Sequence, residues 1–356
     1  MVLNMKIRVL TASLIGMIIM SSLFIIQPYN ELKDYNQFHA LVLPLFSGTP
    51  LAEGGSELQE ARLQWQLQRL ADPATGEIPK GIRKRELAYA RSLNKAAKSN
   101  GKTNPEFNWQ NLGPHNVGGR TRAFAMDVTN ENVMLAGGVS GGLWRTINAG
   151  TTWNKVTAPD QHHSITCITQ DTRPGKTNIW YYGTGEAYGN SASKSFSANY
   201  LGNGVYKSTD GGKTWTHIGL SETRHIARIR IHHQNPDVVY VAALGHAFGP
   251  NEQRGVFRSN DGGNTWDRIL FKSNLAGAID LSMDPQNPRI IYASLWEVIR
   301  QPWSLSSGGD DSGIYKSIDG GTSWTNLTDS PGMPDGIKGR IGVALSPAKK
   351  DLVWAM

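Results

Sequence analysis

The sequence has one cysteine, Cys167, in 356 residues. That excludes a disulfide framework and a thiolate-based metal site. With no base identifiable beside it, the thiol reads as a buried structural group. Acidic residues are also in short supply, 29 Asp and Glu against 36 Lys and Arg. The surplus is local: between Lys80 and Lys102 eight basic residues meet one acid, Glu86, which accounts for the whole net charge of +7. The rest is near neutral, so the stretch reads as a helix with a solvated basic face, and no nucleic-acid partner is expected. Long apolar runs are missing except for one, Val9 to Ile26, 18 residues without a charge behind Lys6 and Arg8. Residues 1–26 therefore read as an export signal, either a cleaved signal peptide or a retained membrane anchor. Either places the remainder outside the cytoplasm, in an extracellular, cell-surface or periplasmic setting.

Glycine and tryptophan, by contrast, are abundant, at 39 and 11 residues. Frequent glycine with regularly spaced aromatics suits many short strands joined by tight turns. Residues 27–107 carry little of that texture. They read as a linker followed by a helical preface, with helical spacing in "SELQEARLQWQLQRL", a break at "DPATGEIP", and renewed helical spacing in "IRKRELAYARSLNKAAK".

From residue 108 onward the pattern is one of strands, and it repeats. "RTINAGTTW", "KSTDGGKTW", "RSNDGGNTW" and "KSIDGGTSW" end at Trp153, Trp215, Trp266 and Trp324, 51 to 62 residues apart, the scale of one propeller blade. Each is a Ser or Thr, then Asn148, Asp210, Asp261 or Asp319, then Gly, then Thr or Ser, then Trp. A carboxylate and a hydroxyl hydrogen-bond backbone groups inside a tight turn, glycine supplies positive φ, and tryptophan packs on the sheet. The box residues are therefore expected to be structural. A short aromatic strand such as "GVYKS" precedes each box, and two apolar strands precede that, giving four strands A to D per unit with the box at the C-to-D turn. Such units cannot bury both faces alone and must stack. The expected fold is an all-β propeller of four-stranded antiparallel blades over 108–356. "GRIGVALSPAKKDLVWAM" supplies only strands A and B of a fifth blade, which reads as a propeller cut within blade five, a piece of a longer protein.

The boxes resemble Asp-box, or bacterial neuraminidase (BNR), repeats, known from sialidases, xyloglucanase-type glycoside hydrolases, sortilin and photosystem II assembly factors. More narrowly, "NLGPHNVGGRTRAFAMD", "GGVSGGLWRT", "GTGEAYGN" and the preface "RLADPATGEIPKGIRKRELAYA" resemble exported bacterial proteins described as glycosyl hydrolase-like or sortilin-like BNR-repeat proteins. The resemblance implies a propeller. It leaves activity open, because such families include hydrolases and binding proteins.

Topology places the B-to-C loops and the approach to strand A on the face opposite the boxes, and long irregular loops on a rigid scaffold carry function. Candidates there are Arg120 and Arg122 in the first blade, Glu186, Tyr188 and Tyr200 in the second, and His225 and His246 in the third. The fourth adds Glu297, Arg300 and Trp303, and the fifth Arg340. Basic residues at the start of the innermost strand suit a carboxylate-bearing ligand. Asp310 and Asp311 in "GGDDSG" could hold calcium or sit in a solvated turn; no other cofactor or metal is expected. Two functions follow. A binding module would grip a glycan, peptide or cell-surface partner with these arginines and aromatics. A glycoside hydrolase would need two carboxylates across a cleft, and Glu186 with Glu297 is the best pair available, two blades apart. "GGRTR" stands where a xyloglucanase-like site has an Asp, and no convincing sialidase-like set is present.

Overall fold

A computed structural model of the chain describes residues 64–65, 67–79, 81–99, 118–186, 200–300, 305–349 and 352–356. Two compact units are distinguished, Met1–Ile82 and Arg83–Met356. In the first, residues 64–65 and 67–70 are helical, and a turn follows in which Asp72 accepts from the Ala74 and Gly76 amides. The basic stretch forms helix α1 (Ile82–Ser99). Within the second unit its Arg91 reaches Asp160 at 3.0 Å, an exposed pair, and that hydrogen bond holds the Asp160 carboxyl below its usual range.

The second unit is built of antiparallel sheets in sequence order. The first blade is β1 (Thr121–Met126), β2 (Met134–Gly138), β3 (Leu143–Thr146) and β4 (Asn154–Lys155). The second is β5 (Ile165–Gln170), β6 (Trp180–Thr184), β7 (Val205–Ser208) and β8 (Thr216–His217). The third is β9 (Ile226–Ile231), β10 (Val239–Ala243), β11 (Gly255–Ser259) and β12 (Asp267–Leu270). The fourth, β13 (Ala276–Met283), β14 (Ile291–Arg300), β16 (Gly313–Ser317) and β17 (Thr325–Asn326), carries an extra strand β15 (Leu305–Ser307) paired to the extended end of β14. Strands β18 (Val343–Leu345) and β19 (Val353–Ala355) pair as a two-stranded sheet.

The first strands of successive blades lie beside one another, β1 by β5, β5 by β9, β9 by β13 and β13 by β18, so the blades fan about a shared inner line as a β-propeller. Each blade has a leading face toward the blade before it and a trailing face toward the blade after. Tyr182 and Tyr206, a cross-strand pair on the leading face of the second blade, stack at 4.7 Å with Trp215 edge-on. They pack on Leu135 and Leu143 of the first blade. The seams require close approach: a Cβ on Gly183 would lie 2.4 Å from Ile226 of the next blade. Cys167 belongs to the seam of blades two and three, and burial pushes its thiol up to about 11, which keeps it protonated and inert as expected.

The box turns account for their own residue types. Ser208 donates to Asp210 at 2.7 Å, Asp210 accepts from the amides of Lys213 and Thr214 at 3.0 Å, and the Thr214 hydroxyl donates to it at 2.6 Å. Asp261 and Asp319 repeat the pattern, and Asn148 keeps its core through Thr146 and Thr152. Burial works to raise the Asp210 carboxyl, but the bonds from Thr214, Ser208 and Lys213 bring it down to about 2. The turns also fasten neighbours together. Arg145 donates to the Gly211 carbonyl of the next blade's box at 2.9 Å, Lys207 to that of Gly262 at 2.8 Å, and Arg258 to that of Gly320 at 2.9 Å. Box tryptophans close the turns: Trp215 and Trp324 donate to Gly212 and Gly321 carbonyls at 3.2 Å, and Trp266 reaches back to Ile218 at 3.0 Å.

One box departs from the glycine rule. Ala149 stands at φ 53 where the other three have Gly211, Gly262 and Gly320. Left-handed backbone strains an alanine but not a glycine. Ala149→Gly is therefore expected to stabilise the protein by about 0.5–1 kcal/mol, read as a higher midpoint in urea; a lower midpoint would refute the strain.

Candidate functional site

The face opposite the boxes gathers residues from three blades. Strand β6 ends in Thr184, whose hydroxyl donates to the Gly204 carbonyl at 2.8 Å and accepts from the Asn203 amide at 2.8 Å. Gly185 then turns at φ 96, with the Arg224 carbonyl 2.5 Å from where a Cβ would sit, so only glycine fits. That turn delivers Glu186, whose amide donates to the Tyr200 carbonyl at 2.8 Å.

The Glu186 side chain is buried, 1% exposed. Arg122, on β1, brings its Nε to 3.2 Å of both carboxylate oxygens. Arg120, at the approach to β1, places Nη2 at 4.0 Å. Arg300, at the end of β14, is buried; that burial lowers its pKa, while Glu186 acts to raise it and Arg120 to lower it further. Arg120 and Arg122 thus pair with one buried carboxylate, whose charge Arg300 also feels.

The third blade's histidines are placed differently. His225 is wholly buried, and its Nδ1 lies 2.7 Å from the Gly245 carbonyl; burial drives its pKa down to about 4. It holds the entry to β9 and contacts no open surface, which corrects the expectation that it binds ligand. His246 is half-buried, and burial lowers its pKa. Its Nδ1 accepts from the Phe248 amide at 3.2 Å, and its carbonyl accepts from Arg254 and Asn251 at 2.7 and 3.0 Å. Arg254 is a residue the sequence pattern did not single out. Fully buried, it spans the carbonyls of Leu275, His246 and Gly249 at 2.7, 2.7 and 3.0 Å. Burial brings its pKa down to about 10 against the opposing pull of Glu297.

Glu297 is committed within its own blade. It accepts from the Asp311 amide at 3.3 Å, and a Cβ on Gly309 would fall 2.1 Å from its Oε2. Its charged neighbour is Arg254, whereas Glu186 sits among Arg120, Arg122 and Arg300, so the two carboxylates do not share a set of partners. Arg340 lies over the Trp296 ring at 5.9 Å. Tyr188 and Trp303 lie outside the described residues. Among the described residues no three His, Cys, Asp or Glu side chains gather as a metal would need; Asp311 faces Lys272 at 3.9 Å.

A cleft of about 460 Å³ opens beside this cluster, lined by Arg120, Tyr200, Trp144, Trp153 and the glycine-rich loop 138–141. It brings a box tryptophan, Trp153, into one groove with Arg120, which the strict division into two faces did not anticipate. The reason is that the groove runs over the leading face of the first blade, through Ala136 and Trp144.

The repeated blades and their shared inner line are matched by sequence similarity. The profile of the sortilin–Vps10 family (sortilin, neurotensin receptor 3) matches residues 203–333. The chain is a β-propeller with a sortilin-like stretch over these residues. This propeller is 26% identical over 290 residues to a xyloglucanase of Paenibacillus sp, covering 70% of the chain and 26% of that protein. It is 25% identical over 237 residues to a xyloglucanase of Hypocrea jecorina, covering 60% of the chain and 27% of that protein. The propeller thus spans about a quarter of the length of these curated relatives. Among solved structures, a GH74 enzyme of Niastella koreensis superposes with a TM-score of 0.45 at 20% identity, over 66% of this chain and 35% of that one. No helix of the described residues is long and apolar enough to cross a membrane, and the Val9–Ile26 run lies outside them.

Proposed function

We propose that this propeller is a binding module for a carboxylate-bearing glycan or peptide, and that the ligand's carboxylate is received at Arg120, beside Arg122 and Glu186. The observation that carries the reading is Arg120, partly exposed beside the buried Glu186–Arg122 pair and on the lining of the adjoining cleft. Arginine presents a planar fork of donors that matches a carboxylate. Arg120 retains 38% side-chain exposure and lines the adjoining cleft. Tyr200 and Trp144, exposed on the same cleft, supply flat apolar surfaces for a sugar ring or a peptide side chain.

The test is titration calorimetry with trigalacturonate and with an acidic pentapeptide, each against its neutral counterpart. One acidic ligand is expected to bind in a salt-sensitive manner, and Arg120→Ala is expected to weaken it at least tenfold. Equal affinity for the neutral counterparts, or indifference to Arg120→Ala, would overturn the proposal.

Glycoside hydrolysis is the second reading, favoured by the similarity to xyloglucanases. It asks for two carboxylates facing a common cleft, and Glu186 and Glu297 have separate partners. Release of reducing ends from xyloglucan, abolished by Glu186→Gln, would replace binding with catalysis.

A further inference from the structure

Strand A of each blade ends in the same turn, and one residue closes it. The amides of Asp127, Asp171, His232, Asp284 and Ser346 each donate at 2.9 Å to a carbonyl across that turn, which makes the five positions equivalent. Four of them close the turn with oxygen. Asp127 accepts from the amides of Thr129 and Asn130 at 2.8 and 3.2 Å, and Asp284 from those of Gln286 and Asn287 at 2.7 and 3.0 Å. Asp171 accepts from the Arg173 amide at 3.2 Å, and Ser346 from those of Ala348 and Lys349 at 3.3 and 3.0 Å. The third blade uses nitrogen instead: His232 Nδ1 lies 3.1 Å from the Gln234 amide and 3.0 Å from that of Asn235.

An imidazole nitrogen accepts only while it carries no proton, so the closed turn requires the neutral ring with its hydrogen on Nε2. Protonation aims a third donor at two donors. A carboxylate keeps its acceptor down to about pH 4, and a serine hydroxyl does not titrate at all. The charged groups acting on the ring oppose its protonation. His233 stacks on it with ring centroids 5.8 Å apart, and Arg173, whose Nε is held by Asp171 at 2.8 Å, acts from the equivalent turn of the second blade. Burial, then His233, then Arg173 lower the His232 pKa. The open turn therefore binds a proton more readily than the closed one, and closure weakens as pH falls below the ordinary histidine value of about 6.5. This turn also backs a joint between blades. Its Asp237 carbonyl accepts from the Gly262 amide at 2.8 Å, and the Gly262 carbonyl receives Lys207 and Tyr181 of the second blade at 2.8 and 3.2 Å.

We propose that His232 makes the A-to-B turn of the third blade an acid-released element: as the ring takes up a proton the turn opens, and the joint of the second and third blades behind it loosens, while the turns closed by Asp and Ser stay shut.

Hydrogen exchange of the full chain at about pH 7.5 and about pH 5, corrected for the intrinsic pH dependence of exchange and read by mass spectrometry, tests this. Protection of the peptide 232–238 is expected to fall about threefold or more at the lower pH, while that of 284–290, the equivalent turn closed by Asp284, stays unchanged. His232→Asp installs the side chain that three equivalent turns already use, and is expected to hold 232–238 at its neutral-pH protection under both conditions. The nitrogen shifts of the His232 ring at neutral pH provide a check that needs no variant, and are expected to show Nδ1 without a proton. A protonated Nδ1 at neutral pH would overturn the proposal. So would equal loss of protection in both peptides, or a loss in 232–238 that persists in His232→Asp.

Discussion

Glu186→Ala is expected to destabilise the propeller by about 3 kcal/mol, because it takes a buried counterion away from the arginines beside it. The loss falls on groups of unequal exposure. Arg300 is buried, while Arg120 and Arg122 keep 38% and 30% exposure and recover part of their hydration. That screening keeps the figure near the lower end of the range for broken buried pairs. Chemical denaturation measures it. Glu186→Gln keeps an acceptor while losing the charge, so it is expected to lie between the two. A Glu186→Ala protein as stable as the parent would mean that the arginines are held apart without their counterion. The same substitution separates fold from function, since any ligand carboxylate at this point should partly restore the lost stability by mass action.

The second large effect concerns pH. His225 is wholly buried, and its pKa lies at about 4 in the folded protein, against about 6.5 for an unfolded histidine. Between those values the unfolded chain binds a proton that the folded chain refuses, so stability falls as pH is lowered through that window. The loss is on the order of 3 kcal/mol once pH 4 is reached. An asparagine can offer an amide N–H to the Gly245 carbonyl that Nδ1 now faces at 2.7 Å, without taking up a proton. His225→Asn is therefore expected to flatten the dependence of the denaturation midpoint on pH between 6.5 and 4. A parallel slope in parent and variant would assign the titration to another group.

The repeat made the fold legible. Four boxes in phase with aromatic strands fixed which strands pair, because side-chain chemistry inside each turn is complete within a few residues, as Asp210 with Ser208 and Thr214 illustrates. The candidate site was legible in part. Arg120, Arg122, Glu186 and Arg300 were found because topology assigns them to one end of neighbouring strands, and the structure brings them together. Burial was not legible. His225 and Arg254 sit in loops of ordinary polar texture, and nothing local distinguishes a histidine that closes a seam from one that faces water. The surroundings of Glu297 were not legible for a related reason: its neighbours Gly309 and Asp311 come from the insertion that distinguishes the fourth blade, so the general repeat does not predict them.

The bonds from Arg145, Lys207 and Arg258 to the next blade's turn run in one direction only. The second and third blades each carry a bolt for the successor and a socket for the predecessor, so a duplicated gene segment encoding one such unit brings both halves of a new joint. Growth or shrinkage of the array by single units then needs no compensating change elsewhere.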